Sequence, residues 1–146
     1  MHTYSTQRIL VPIDFSDEAD GAMKMTLEIV SEPSLVTAIH VAPPLATLEP
    51  GVVWEMISDE TRVQQLEQAF RKRYHEPQYS SVGFEVRFGD PGNEITSYAQ
   101  EAKAGLIVMP SHGRTGLAHL LIGSVAERVI RHAECDVYVL RRTDAE

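Results

Sequence analysis

Five short apolar runs, separated by stretches of helical periodicity, restrict this 146-residue chain more than any other feature. They are Arg8 to Asp14 (RILVPID), Leu35 to Val41 (LVTAIHV), Phe84 to Phe88, Gly105 to Pro110 (GLIVMP) and Asp136 to Arg141 (DVYVLR). A nearly continuous apolar run of this length fits a strand buried on both faces, as in a parallel sheet sandwiched between helices. The third run differs, because Phe84, Val86 and Phe88 alternate with Glu85 and Arg87; period two predicts a strand nearer an edge, with one face partly wet. Helical stripes fall in between. Ser16 supplies an N-cap oxygen before Asp17, Glu18 and the stripe Ala19, Ala22, Met23, Thr26, Leu27, Val30. A loop from Pro43 to about Gly51 leads to the stripe Met56, Val63, Leu66, Phe70, Tyr74. The turn Asp90-Pro91-Gly92 leads to Ile95, Tyr98, Ala99 and Ala102, and Leu117, Leu120, Leu121, Val125 and Val129 make the last stripe. Strand alternating with helix predicts right-handed βαβ crossovers and a doubly wound α/β fold, with the whole chain, 1–146, as one domain.

Charge and composition exclude several functions. The net charge is −8, with 6 basic and 11 acidic residues up to Arg73 and 7 and 10 after it, so no basic face awaits a nucleic acid. The densest basic cluster, Arg71-Lys72-Arg73, reads as the solvated end of a helix. The longest apolar run is far shorter than the roughly 20 residues of a membrane helix. The polar Met1 to Gln7 lacks the pattern of a secretory signal, which makes a cytoplasmic location the expectation. Cys135 is the one cysteine and has no partner for a disulfide within the chain; before a buried strand it reads as a small hydrophobe.

In an open doubly wound sheet a ligand sits beyond the carboxyl ends of the strands, where strand order reverses. Two segments qualify: Pro12, Ile13 and Asp14 after the first strand, and Met109 to Gly113 after the fourth, continuing to Gly123 and Ser124. If strands one and four are neighbours, both segments line one crevice. Gly113 and Gly116 would let a phosphate approach backbone amides, and Gly123-Ser124 would add a hydroxyl, two N–H groups and the positive end of a helix dipole. The plainer alternative gives Gly113 and Gly116 to a turn and Gly123 to close helix packing.

The run His112 to Arg141 (HGRTGLAHLLIGSVAERVIRHAECDVYVLR) resembles the C-terminal signature of the universal stress protein family, and ILVPIDFSDEA, IHVAPP and FGDPGNEI agree with it. The resemblance implies a five-stranded parallel sheet in the order 3-2-1-4-5 with helices on both faces, an adenine nucleotide alpha-hydrolase-like architecture. One branch of the family binds ATP through Gly, two residues, Gly, nine residues, then Gly followed by Ser or Thr. Here Gly113, the nine residues Arg114 to Ile122, Gly123 and Ser124 match, but Pro110 replaces the first glycine. Proline has no N–H and a fixed φ, so one ligand contact is expected to weaken.

By the same resemblance Asp14 lies near adenine and ribose, with Pro12 and Ile13 beside it. The backbone of Val41 recognises adenine, Met109 and Pro110 flank the ribose, and His112, Gly113, Arg114, Gly123, Ser124 and Val125 face the phosphates of ATP or AMP. Alternatively Asp14 fixes its own turn and His112 is an exposed loop residue. Mg or Mn would bridge the phosphates during any slow hydrolysis. No nucleophile elbow, metal-ligand spacing or HIGH-type histidine pair appears, so the chain reads as a nucleotide-binding stress or regulatory protein rather than an enzyme. The alternative is a ligand-free interaction module. If the last strand is a sheet edge, Val137, Tyr138, Val139 and Leu140 form an apolar edge without Lys or Pro, which invites a partner. The resemblance makes that partner a second copy, in a homodimer with a twofold axis; a further regulatory protein partner stays unnamed.

Overall fold

The computed structural model describes residues 4–44, 59–112 and 122–141. Gly113, Arg114, Gly116, Leu117, Leu120, Leu121, Met56 and the loop expected up to Gly51 lie outside the described residues.

Each apolar run becomes a strand, its ends displaced by at most two residues: β1 is Ile9–Pro12, β2 Val36–Ala42, β3 Gly83–Phe88, β4 Leu106–Pro110 and β5 Asp136–Leu140. The helices are α1 Asp17–Ile29, α2 Asp59–Arg73, α3 Pro91–Glu101 and α4 Ser124–His132. All strands run parallel in the order β3-β2-β1-β4-β5, as the resemblance implies. Strand alternation sorts the apolar side chains onto two faces. Ile9, Val11, Val36, Ala38, Leu106 and Val108 pack with Ala19, Ala22 and Met23 of α1 and Phe70 of α2. Leu10, Ile39, Ile107 and Met109 pack with Ile95 and Ala99 of α3 and Ala126 and Val129 of α4.

Local chemistry sets the helix ends. The Ser16 hydroxyl accepts from the Ala19 N–H at 3.2 Å, and the Asp90 carboxylate accepts from the Asn93 N–H at 3.0 Å, with Pro91 opening the first turn. Thr26 is wholly buried within the α1 stripe because its hydroxyl donates to the Ala22 carbonyl at 2.7 Å.

The basic end of α2 is solvated as expected, with Arg71 and Lys72 exposed, but two of its guanidinium groups also bind other parts of the chain. Arg73 donates to both carboxylate oxygens of Asp20 at 2.9 and 2.8 Å, and Tyr74 donates to the same carboxylate at 2.6 Å, which ties α2 to α1. Arg71 donates to the Val82 carbonyl at 2.9 Å. In the stripe of α2, Phe70 is buried and Val63 and Leu66 only partly, while Arg62 is buried instead.

Strand order reverses between β1 and β4, and their ladder is short. The register pairs Ile9 with Leu106 and Leu10 with Ile107 and ends there. Its next bond would run from the amide of residue 12 to the Val108 carbonyl, and Pro12 has no N–H. The carboxyl halves of the two central strands are therefore left unlaced where a doubly wound sheet places its crevice.

Candidate functional site

On the β1 side of the crevice, Pro12 and Ile13 are buried and the chain turns sharply. The Ile13 N–H donates to the Ile39 carbonyl at 2.8 Å, and the Ile13 carbonyl lies 2.9 Å from His40 Nδ1. A carbonyl only accepts, so His40 Nδ1 carries a proton. Phe15 follows with φ +63°, a left-handed conformation unusual for a bulky residue, and its ring lies 5.1 Å from that of His40. Asp14, half-buried, accepts through one oxygen from both the Ser16 N–H, at 3.1 Å, and the Ser16 hydroxyl. Its carboxylate thus fixes its own turn, the alternative that the sequence left open.

On the β4 side, Met109 is buried, Pro110 is half-buried opposite Leu140, and Ser111 and His112 are both 3% exposed. His112 is therefore not the exposed loop residue that one reading allowed. The Ser111 N–H donates to the Leu140 carbonyl at 2.8 Å, its carbonyl accepts from the Gly123 N–H at 2.6 Å, and its Oγ lies 3.2 Å from His112 Nδ1. The two ends of the glycine-containing segment thereby meet at one hydrogen bond. His112 Nε2 is buried and has no hydrogen-bond partner among the described residues, a costly state for a polar atom that calls for a partner.

Gly123 is the N-cap of α4 and makes no side-chain cap. The first intrahelical bond runs from the Glu127 N–H to the Gly123 carbonyl at 3.0 Å. The amides of Ser124, Val125 and Ala126 precede it, so no carbonyl within the helix serves them. Amides in this position, with the helix dipole behind them, are chemically suited to an anion. A Cβ on Gly123 would stand 3.1 Å from the Ser111 carbonyl oxygen and 3.6 Å from His112 Cα, so only glycine allows this closeness without a shift. Ser124 is exposed and Val125 half-buried at the same helix start.

The structure thus brings Pro12, Ile13, Asp14, Met109, Pro110, His112, Gly123, Ser124 and Val125 to the carboxyl edge of the two central strands, and Val41 to the same edge of β2. Gly113 and Arg114 fall outside the described residues. Sequence reasoning took Ser111 only as part of the Met109 to Gly113 segment and missed two further residues. His40 was a polar residue within an apolar run, which was its only signal. Arg62 had none: it is 6% exposed, donates to the Pro43 carbonyl at 2.7 Å and lies 4.6 Å from the centre of the Phe88 ring.

The sequence profile of the universal stress protein family matches residues 5–141. The chain belongs to the universal stress protein family. It is 37% identical over 144 residues to universal stress protein MJ0531 of Methanocaldococcus jannaschii, covering 96% of this chain and 85% of that one. The solved structure of the universal stress protein UspA from Lactobacillus plantarum superposes with a TM-score of 0.70 at 26% identity, over 93% of this chain and 99% of that one. A universal stress protein family structure from Arabidopsis thaliana with AMP bound shares the fold, with a TM-score of 0.60 at 22% identity over 95% and 94% of the two chains.

In this universal stress protein no helix among the described residues is long and apolar enough to cross a membrane. Burial pushes the Cys135 thiol above its ordinary range, against thiolate formation, and the residue packs on the α3–α4 side of the sheet as a small hydrophobe.

Proposed function

We propose that this protein binds an adenine nucleotide, ATP or AMP, in the crevice between β1 and β4, and acts as a dimeric stress-response or regulatory protein. One observation carries the reading: a buried His112 ring, whose Nε2 has no partner among the described residues, stands beside the start of α4, which no described side chain caps, where strand order reverses. A phosphate oxygen would take the amides of Ser124 and Val125, with the Ser124 hydroxyl and His112 beside it. The ribose would lie near Met109 and Pro110, and the base between the Ile13–Asp14 turn and Val41. Gly113 and Arg114 join the phosphate side by motif. AMP in the Arabidopsis neighbour supports the choice of adenine. Mg or Mn would accompany the triphosphate, bridging and neutralising its phosphate oxygens.

The reading is of a binding protein and not an enzyme, located in the cytoplasm. The second copy would add its β5 to the β5 edge, where Tyr138 is 49% exposed. A second reading, a dimeric interaction module without nucleotide, has one observation in its favour. The Ser111 N–H serves β5, so alternation turns residue 110 toward β1 and the crevice, and Pro110 offers no amide there.

Chromatography with mass detection of small molecules released from the denatured protein, with calorimetric titration of ATP and AMP, decides between the two. Co-purified nucleotide or saturable binding is expected. No nucleotide and no heat at millimolar ligand would leave the interaction module.

A further inference from the structure

The β1–β2 ladder stops in an unusual way. Its register runs to Pro12 opposite Ile39, and the Ile13 N–H completes it by donating to the Ile39 carbonyl. A parallel ladder would next pair the Val41 N–H with the Ile13 carbonyl, and the Phe15 N–H with the Val41 carbonyl. Among the described residues neither bond forms. The Ile13 carbonyl is taken by His40 Nδ1 at 2.9 Å, and the left-handed turn at Phe15 carries the chain away.

Strand alternation fixes where the unused groups face. The Ile39 carbonyl serves β1, and the Ala42 carbonyl accepts from the Gly89 N–H just after β3, at 3.0 Å. Val41, two residues from Ile39, therefore directs its N–H and C=O to the β1 side, above the point where β1 has ended. One donor and one acceptor side by side complement a base edge that offers an acceptor beside an amino group, as adenine does at N1 and its 6-amino group.

We propose that His40 is a positioning residue for base recognition: by occupying the Ile13 carbonyl, its Nδ1–H keeps the Val41 main chain out of the β1–β2 ladder and available to the base. The Phe15 ring, packed on the imidazole, holds it there. This inference deepens the nucleotide reading and rests on it for the identity of the ligand.

Amide exchange followed by NMR on the protein without added ligand tests the first half. Val41 should exchange much faster than Ile39. In His40→Leu the released Ile13 carbonyl should capture the Val41 N–H and slow its exchange at least tenfold. His40→Asn, whose amide nitrogen occupies the place of Nδ1, should restore the fast rate. Titration tests the second half. His40→Leu should weaken AMP about tenfold, leave ribose 5-phosphate, which lacks the base, within twofold, and be rescued by His40→Asn. Slow Val41 exchange in the wild-type protein, or equal AMP affinity in wild type and His40→Leu, overturns the role given to His40. Fast Val41 exchange with no AMP binding by the wild type instead overturns the nucleotide reading, and with it the assignment of a base to this edge. Should His40→Leu fail to fold, the wild-type exchange rates and His40→Asn still decide.

Discussion

Gly123→Ala places a methyl 3.1 Å from the Ser111 carbonyl oxygen, a few tenths of an ångström closer than ordinary contact, at the residue whose N–H closes a 2.6 Å bond to that same oxygen. Either α4 retreats or β4 bends, and the bond lengthens. Alanine is a poorer N-cap than glycine by about 0.5–1 kcal/mol, and a weakened hydrogen bond adds about 0.5–1 kcal/mol. The total of about 1–2 kcal/mol corresponds, at 2–4 °C per kcal/mol for a chain of this size, to a fall in Tm of about 2–8 °C. Ligand affinity should fall more steeply than this modest loss implies. Bonds from the first-turn amides to an anion are charge-assisted, and displacing them at a cost of about 1.4 kcal/mol is a tenfold loss. Scanning calorimetry gives the first quantity and titration calorimetry with ATP the second. Ser124→Ala separates them: Ser124 is exposed, so Tm should hold within about 1 °C while affinity drops because a hydroxyl is lost. If Gly123→Ala lowers Tm as computed and binds ATP as well as the wild type, the phosphate does not sit at the start of α4 and the reasoning is refuted.

Charge on the β5 edge should break the dimer. Val139 packs partly against the core, so a charge there would also disturb the fold, and the exposed Tyr138 is the cleaner probe; Tyr138→Lys should run as a monomer in light scattering, and an undiminished dimer would exclude the edge-strand interface. At Tyr74, burial first and the hydrogen bond to Asp20 second hold the hydroxyl well above its ordinary 10.0. A raised value stabilises the folded state fully below the unfolded value and is lost as pH rises towards the folded one. Wild-type stability should therefore decline above about pH 10, whereas Tyr74→Phe, weaker by about 1–2 kcal/mol at neutral pH, should show a flatter alkaline limb in denaturant melts.

Much of the architecture was legible because burial leaves a period in the sequence. RILVPID and GLIVMP were apolar enough to demand cover on both faces, and Ile9–Pro12 and Leu106–Met109 are indeed buried throughout. The alternation of Phe84 to Phe88 marked β3 as an edge, and all six of its residues are partly exposed. Legibility failed where polar groups pair over long separations. Arg71-Lys72-Arg73 is a solvated end as read, but nothing local shows that Asp20 and the Val82 carbonyl also bind its guanidinium groups. Asp14 left two roles open, and only the geometry of Ser16 shows that it fixes its own turn.

The sequence by itself determined the strands, the helices and their inward faces, and through the motif residues Gly113, Gly123 and Ser124 it marked the anion end of the proposed site. The tertiary structure decided which strands are neighbours, that Pro12 ends the β1–β4 ladder, that Ser111 joins both ends of the motif, and that His40 holds the Ile13 carbonyl. The physical reason is one of range. Hydrophobic periodicity records how each residue meets the core and is written within a few positions, whereas a hydrogen bond between residues 27 apart, such as His40 to Ile13, exists only once the sheet has set its register.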